Sequence, residues 1–264
     1  MTYQAIIKPK HILYVPTSNG FAPFNGAKDL VDELMDFPHI LSSSTSAFTQ
    51  EELLDGLSDA GLYIQEKNLV TPFQESVRLL HEQEVDYVLF VGSNDNMAEE
   101  YRRAGFIQVR RYEPHMIGKG AVVVGYLERI DSHLIKAAIE YAKKKAAEII
   151  SLNGKHMRSM AKGRTELDSY SIATLVVNGS GFPVDAIKVV GKPARRHYNS
   201  LLKNHLPVKD ANVTAIFANS PLDFETPSLM GMKTISVQSH LRRTHPKADH
   251  RISGLEGIIE FLKI

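Results

Sequence analysis

The stretch VTAIFANSPLDFETPSLMGMKTISV, residues 213–237, decides the fold. Two short apolar and β-branched runs, Val213–Phe217 and Thr234–Val237, bracket a polar loop and a helix-sized segment. Runs of that length and type read as buried strands. Working outward, similar runs recur at His11–Val15, Ile40–Leu41, Tyr87–Val91, Ala121–Val124, Glu148–Leu152 and Ile187–Val190. Helix-like segments lie between most of them. Gln50–Ala60 has Leu53, Leu54 and Leu57 at helical spacing, with Thr49 placed to cap it and Glu51 and Glu52 in the first turn. Pro72–Gln83 carries Val77, Leu79 and Leu80, and Ser132–Ala147 carries Leu134, Ile135, Ala138, Ile139 and Ala142 behind Asp131 as a cap. Alternating strand and helix predicts an α/β protein with a mostly parallel sheet. Such sheets hold ligands at the carboxyl ends of their strands. The loops after Val15, Leu41, Val190 and Phe217 are therefore the first places to look for chemistry.

Composition narrows the classes. The 264 residues include 31 Lys+Arg and 30 Asp+Glu, a formal net charge of +1, and 43% are hydrophobic. That is enough apolar content for a core and too little charge excess for disorder. A dedicated nucleic-acid binder would show a clear basic excess, so no nucleic-acid partner is expected. With no Cys there is no disulfide, thiolate metal site or Cys nucleophile. The N-terminal run is broken by Lys8, Pro9 and Lys10, which argues against a signal peptide. No apolar stretch approaches the ~20 residues that span a bilayer. The expectation is a cytoplasmic protein without a membrane partner.

Four segments in order, HILYVPTSNGF (11–21), ILSSSTSAFTQEEL (40–53), VVGKPARRHYNSLL (189–202) and the 213–237 stretch, carry a resemblance. FNGAKDLVDEL, FTQEELLDGLSDAGL, VLFVGSNDNMAEEYRRAGF, AVVVGYLERIDSHLIKAAIEYA and ADHRISGLEGIIEFL extend it over nearly the whole chain. Together they resemble the haloacid-dehalogenase-like (HAD) phosphatases, class IIA, the sugar-phosphatase and p-nitrophenyl-phosphatase branch. The resemblance implies a Rossmann-like core with a parallel sheet, built from residues 1–69 and 189–264. An α/β cap of the C2 type, residues 70–188, would be inserted into it. A homodimer through the cap is also implied.

A HAD phosphatase needs an Asp nucleophile and an Asp general acid two residues on. It also needs a Thr or Ser with a Lys for the phosphoryl oxygens, and acidic residues that hold Mg²⁺. The first motif, DxDG, is sought at Val15-Pro16-Thr17-Ser18-Asn19-Gly20. Matching the glycine puts Thr17 and Asn19 in place of the carboxylates; matching strand length puts Val15 and Thr17 there. Neither register supplies an Asp. The second motif retains hydroxyls, with Ser43 at the matching position and Ser44 beside it. The third retains Gly191-Lys192-Pro193, so Lys192 is a candidate for a phosphate or for Asp223. Arg195, Arg196 and His197 read as a solvated helix face. In the fourth motif Ala218 replaces the first Asp and only Asp223 survives. One carboxylate is a poor Mg²⁺ site. In the cap, Asn153 matches the family's "TN.D" strand end, while Leu167–Ser171 lacks the glycines of the substrate loop.

The phosphate-binding candidates are thus Thr17, Ser43, Ser44 and Lys192, with Asp223 the remaining metal-type residue. No catalytic residue and no cofactor are expected, and Mg²⁺ only if chemistry has been rearranged. The expected role is that of a pseudoenzyme with a binding or regulatory role, its pocket suited to a small phosphorylated ligand. The alternative is a phosphatase, or other phosphoester hydrolase, with relocated residues. His240, His245 and His250 do not share one helix face, and they read as a basic surface loop rather than a metal site. Lys143–Lys145 read as cations suited to a helix C-terminus.

Overall fold

The computed structural model describes residues 3–18, 20–159, 165–238 and 247–263. Asn19, His240 and His245 lie outside the described residues. The strands are β1 (Gln4–Ile7), β2 (Tyr14–Thr17), β3 (Gly20–Pro23), β4 (His39–Ser42), β5 (Leu69–Val70), β6 (Val85–Val91), β7 (Ile107–Gln108), β8 (Lys119–Val124), β9 (Glu148–Ser151), β10 (Met157–Ser159), β11 (Thr165–Leu167), β12 (Ile187–Val189), β13 (Thr214–Ala218), β14 (Lys233–Gln238) and β15 (His250–Ser253). The α-helices are α1 (Ala27–Leu34), α2 (Gln50–Asp59), α3 (Pro72–Glu82), α4 (Asp95–Arg103), α5 (Ser132–Lys145), α6 (Ser169–Ser180), α7 (Arg195–Ser200), α8 (Glu225–Leu229) and α9 (Glu256–Leu262). The chain divides into two compact units. The first comprises residues 1–44, 50–71 and 195–264; the second comprises 45–49 and 72–194. The short segment Val189–Ala194, placed with the core by sequence reasoning, groups here with the second unit.

The first unit is a six-stranded parallel sheet in the order β15-β14-β13-β1-β4-β5. Side chains alternate across a strand, so one short run feeds two cores. Ala5 and Ile7 join Leu41, Phe217 and Ile235 under α1, α2 and α9. Ile6 joins Ile40, Ile216, Tyr198 and Leu201 on the opposite face. The central strand is thus Gln4–Ile7, not the expected His11–Val15. Its ladder fixes this: Ile7 pairs with both Phe217 and Leu41. Most of His11–Val15 instead forms a turn leading into the β2–β3 hairpin, a separate two-stranded sheet. Phe21 of that hairpin lies over Gly56 of α2, where a Cβ would come within 2.6 Å of its ring.

The second unit is a five-stranded parallel sheet in the order β12-β9-β8-β6-β7. Val88, Phe90, Ala121, Val123 and Ile150 face a core shared with α3 and α4. Leu89, Val91, Val122, Val124 and Ile149 face α5 and α6. Such near-continuous apolar runs are the mark of a parallel sheet covered on both faces. Asn94, Asp131 and Asp168 cap α4, α5 and α6 by accepting backbone N–H bonds. The cap expected at Asp131 is therefore present. Lys143–Lys145 occupy the last turn of α5, as their charge favours. Among the described residues no helix is long and apolar enough to cross a membrane.

Candidate functional site

In the first unit, the carboxyl ends of β1, β4 and β13 bring polar residues together. Directly after the central strand comes Lys8-Pro9-Lys10-His11, upstream of the Val15–Gly20 stretch in which the first motif is sought. His11 has a left-handed backbone, φ 68°, in the turn that follows. Lys8 is held there by its backbone, whose N–H donates to the Phe217 carbonyl at 3.0 Å and continues the ladder. Its ammonium donates to Asp223 Oδ2 at 2.6 Å, with both side chains buried. Asp223 sits in a short 3₁₀ turn after β13. Asn219, at the end of β13, donates from Nδ2 to the His11 carbonyl at 2.9 Å and ties this loop to the one after β1.

The end of β4 adds a second pair. Ser42 Oγ and His197 Nε2 share a hydrogen bond at 2.8 Å, and both residues are fully buried. Tyr198, also buried, has its hydroxyl pKa pushed well up by burial and by the negative charge of Asp223. Ser43 is buried and Ser44 half-buried; the Ser43 N–H donates to the Val70 carbonyl.

The structure sorts the candidates. Ser43 and Asp223 stand at the carboxyl ends of neighbouring parts of one sheet. Thr17 does not: it is exposed on the hairpin, and its hydroxyl donates to the Gly20 carbonyl at 3.1 Å. Lys192 is fully buried within the second unit, where its carbonyl accepts from Gly154 N–H and a cis peptide joins it to Pro193. The glycine before it is required, since a Cβ on Gly191 would lie 2.2 Å from the Leu152 carbonyl oxygen. Arg195 and Arg196 are exposed as expected, but His197 is buried. That corrects its reading as solvated. The available signal was its position four residues before buried Leu201 on one helical face.

The second unit has its own buried polar cluster. Asp168 Oδ1 accepts from Ser46 Oγ at 3.0 Å, Asn153 Nδ2 at 2.9 Å and Ser169 N–H at 2.8 Å. Asn153 Oδ1 accepts from Lys155 N–H. Nearby strands β10 and β11 place Arg158 over the Tyr126 ring, 3.8 Å from its centroid, while the Tyr126 hydroxyl donates to Glu166 at 2.7 Å. Partial burial, with the Glu166 contact, pushes that phenol up to about 12.

No protein-family model matches the chain, and no curated protein sequence matches it significantly. Solved structures do match in fold. A p-nitrophenyl phosphatase from Archaeoglobus fulgidus shares 21% identity over 98% of this chain and 99% of its own, with TM-score 0.81. A 4-nitrophenylphosphatase from Thermotoga maritima shares 15% identity over 100% of this chain and 97% of its own, with TM-score 0.80. A glycerol phosphate phosphatase from Mycobacterium tuberculosis, solved with magnesium, shares 17% identity over 97% of this chain and 76% of its own, with TM-score 0.74. The fold is like that of these phosphatases: an α/β unit with a parallel central sheet and a second α/β unit inserted into it in sequence.

The donor set at the first sheet's carboxyl edge fits Mg²⁺ poorly. Asp223 is paired with an ammonium, Asn219 offers a neutral oxygen, and Lys8 and Lys10 bring positive charge. Magnesium dehydrates reluctantly and is held by carboxylates and phosphates. Among the described residues no group of three His, Asp or Glu is placed to hold a metal.

Proposed function

We propose that this protein uses a phosphatase fold to bind a small anionic ligand of the phosphate-ester class without hydrolysing it. The observation that carries the reading is the Lys8–Asp223 ion pair at the end of the central strand. A hydrolase of this fold needs an anionic nucleophile at that place, and an ammonium can neither attack phosphorus nor join a carboxylate metal site. Cationic Lys8 and Lys10, with the Ser43 hydroxyl, suit an anion instead. The test is phosphate release from p-nitrophenyl phosphate and a panel of sugar phosphates, with and without Mg²⁺. No turnover above buffer is expected. Robust metal-dependent turnover by a clean preparation would overturn the reading.

A second reading has its own support. All three structural relatives named above are phosphatases by name. The Ser42–His197 hydrogen bond sets a hydroxyl beside a base, the pairing an activated nucleophile requires. Under this reading the protein hydrolyses phosphoesters with relocated residues, and Ser42→Ala and His197→Ala each abolish turnover. Against it stands the complete burial of both side chains.

A further inference from the structure

We propose that the Lys8 ammonium is a tethered replacement for a divalent cation, making the carboxyl edge of the first sheet permanently metal-free. Asp223 is fully buried, and a buried carboxylate persists only when its charge is met. An ion from solvent, a cation of the chain or a set of hydrogen-bond donors can meet it. Here the cation is supplied from the chain, 2.6 Å from Oδ2. It cannot diffuse away, because the Lys8 backbone is locked into the ladder through Phe217. A divalent ion binding Asp223 would have to share the carboxylate with that ammonium. A lysine at this strand end therefore both offers no oxygen ligand and fills the charge vacancy that a metal would otherwise answer.

The inference deepens the proposed function and rests on it, but it fails separately. Titration of the full chain with Mn²⁺, followed by the paramagnetic resonance signal of the free ion, is expected to show no stoichiometric binding. Melting temperature is expected to be the same in MgCl₂ and in EDTA. Lys8→Asp, which sets a second carboxylate beside Asp223, is expected to gain Mn²⁺ binding and a metal-dependent rise in melting temperature. Should that variant not fold, Lys8→Met, Asp223→Asn and their double mutant decide. Strong coupling in that cycle is expected, with the double mutant more stable than the sum of the singles implies. Stoichiometric Mn²⁺ binding by the unaltered protein, or additive single mutants, would overturn the inference. Mn²⁺ binding without turnover sinks the tethered cation alone; metal-independent turnover sinks the proposed function alone.

Discussion

Asp223 in the first unit and Asp168 in the second are both buried carboxylates, and they are neutralised differently. In the first unit Asp223 meets a full positive charge from Lys8, a residue 215 positions away. In the second, Asp168 meets neutral donors among the described residues, one hydroxyl, one amide and one backbone N–H, and caps α6 at the same time. The second solution joins a helix cap to an amide 15 positions away and a hydroxyl 122 positions away. The first is long-range and leaves two charges out of water, which is seldom the most stabilising choice available. Under the proposed function, that buried charge serves a ligand site and not folding alone.

The comparison can be broken by the same substitution at both places. Asp223→Asn leaves the Lys8 ammonium buried without its counter-charge and is expected to cost about 3–5 kcal/mol. Asp168→Asn keeps an oxygen acceptor for its neutral donors and is expected to cost about 1 kcal/mol. Urea unfolding midpoints measure both; equal losses would mean that the two carboxylates are held alike. Ser42→Ala sharpens the contrast at smaller scale. It strands His197 Nε2 in the core, with an expected loss of about 1–2 kcal/mol by the same measurement.

The smallest effect is a dependence on pH at the opposite end of the first sheet. His39, which opens β4, has its pKa lowered from 6.5 by burial, against the opposing pull of backbone hydrogen bonds from Phe37 and Leu34. The folded state then binds its proton less readily than the unfolded chain. Stability tied to His39 is complete above the unfolded value and is lost as pH falls through about 6.5 toward the folded value. Melting temperature followed from neutral to mildly acidic pH should fall, and His39→Gln should flatten the slope. An unchanged slope in the variant would assign the effect to another group.

Much of the architecture was legible because seven of the expected strands are apolar runs bounded by polar loops, and the structure contains all seven to within a few residues. The central strand was not. Gln4–Ile7 is four residues long, opens on a polar side chain and is cut short by Lys8-Pro9-Lys10. Gln4 is nevertheless buried, its amide donating to the Val208 carbonyl and to Thr214 Oγ1. A glutamine satisfied by partners more than two hundred residues away gives no local sign of burial. Because of that miss the first motif is sought after His11–Val15 and not after Gln4–Ile7. Thr17, in a stretch with more strand-like periodicity, turned out to lie on an exposed hairpin. Asp223 was legible because its spacing from β13 survives. Its partner was not, because a Lys after an apolar run reads as the end of a strand rather than as part of a site.

The place of β1 in its sheet also has a consequence for the order of synthesis. Residues 4–7 are made before the other strands of their sheet, yet Gln4 pairs with Thr214, made 210 positions later. Every residue of the second unit, including the Thr45–Thr49 segment, is complete by Ala194. Domains fold as units while the chain emerges. The inserted unit can therefore finish before the one that surrounds it, and β1 waits, unpaired on its β13 side, until Thr214–Ala218 has been made.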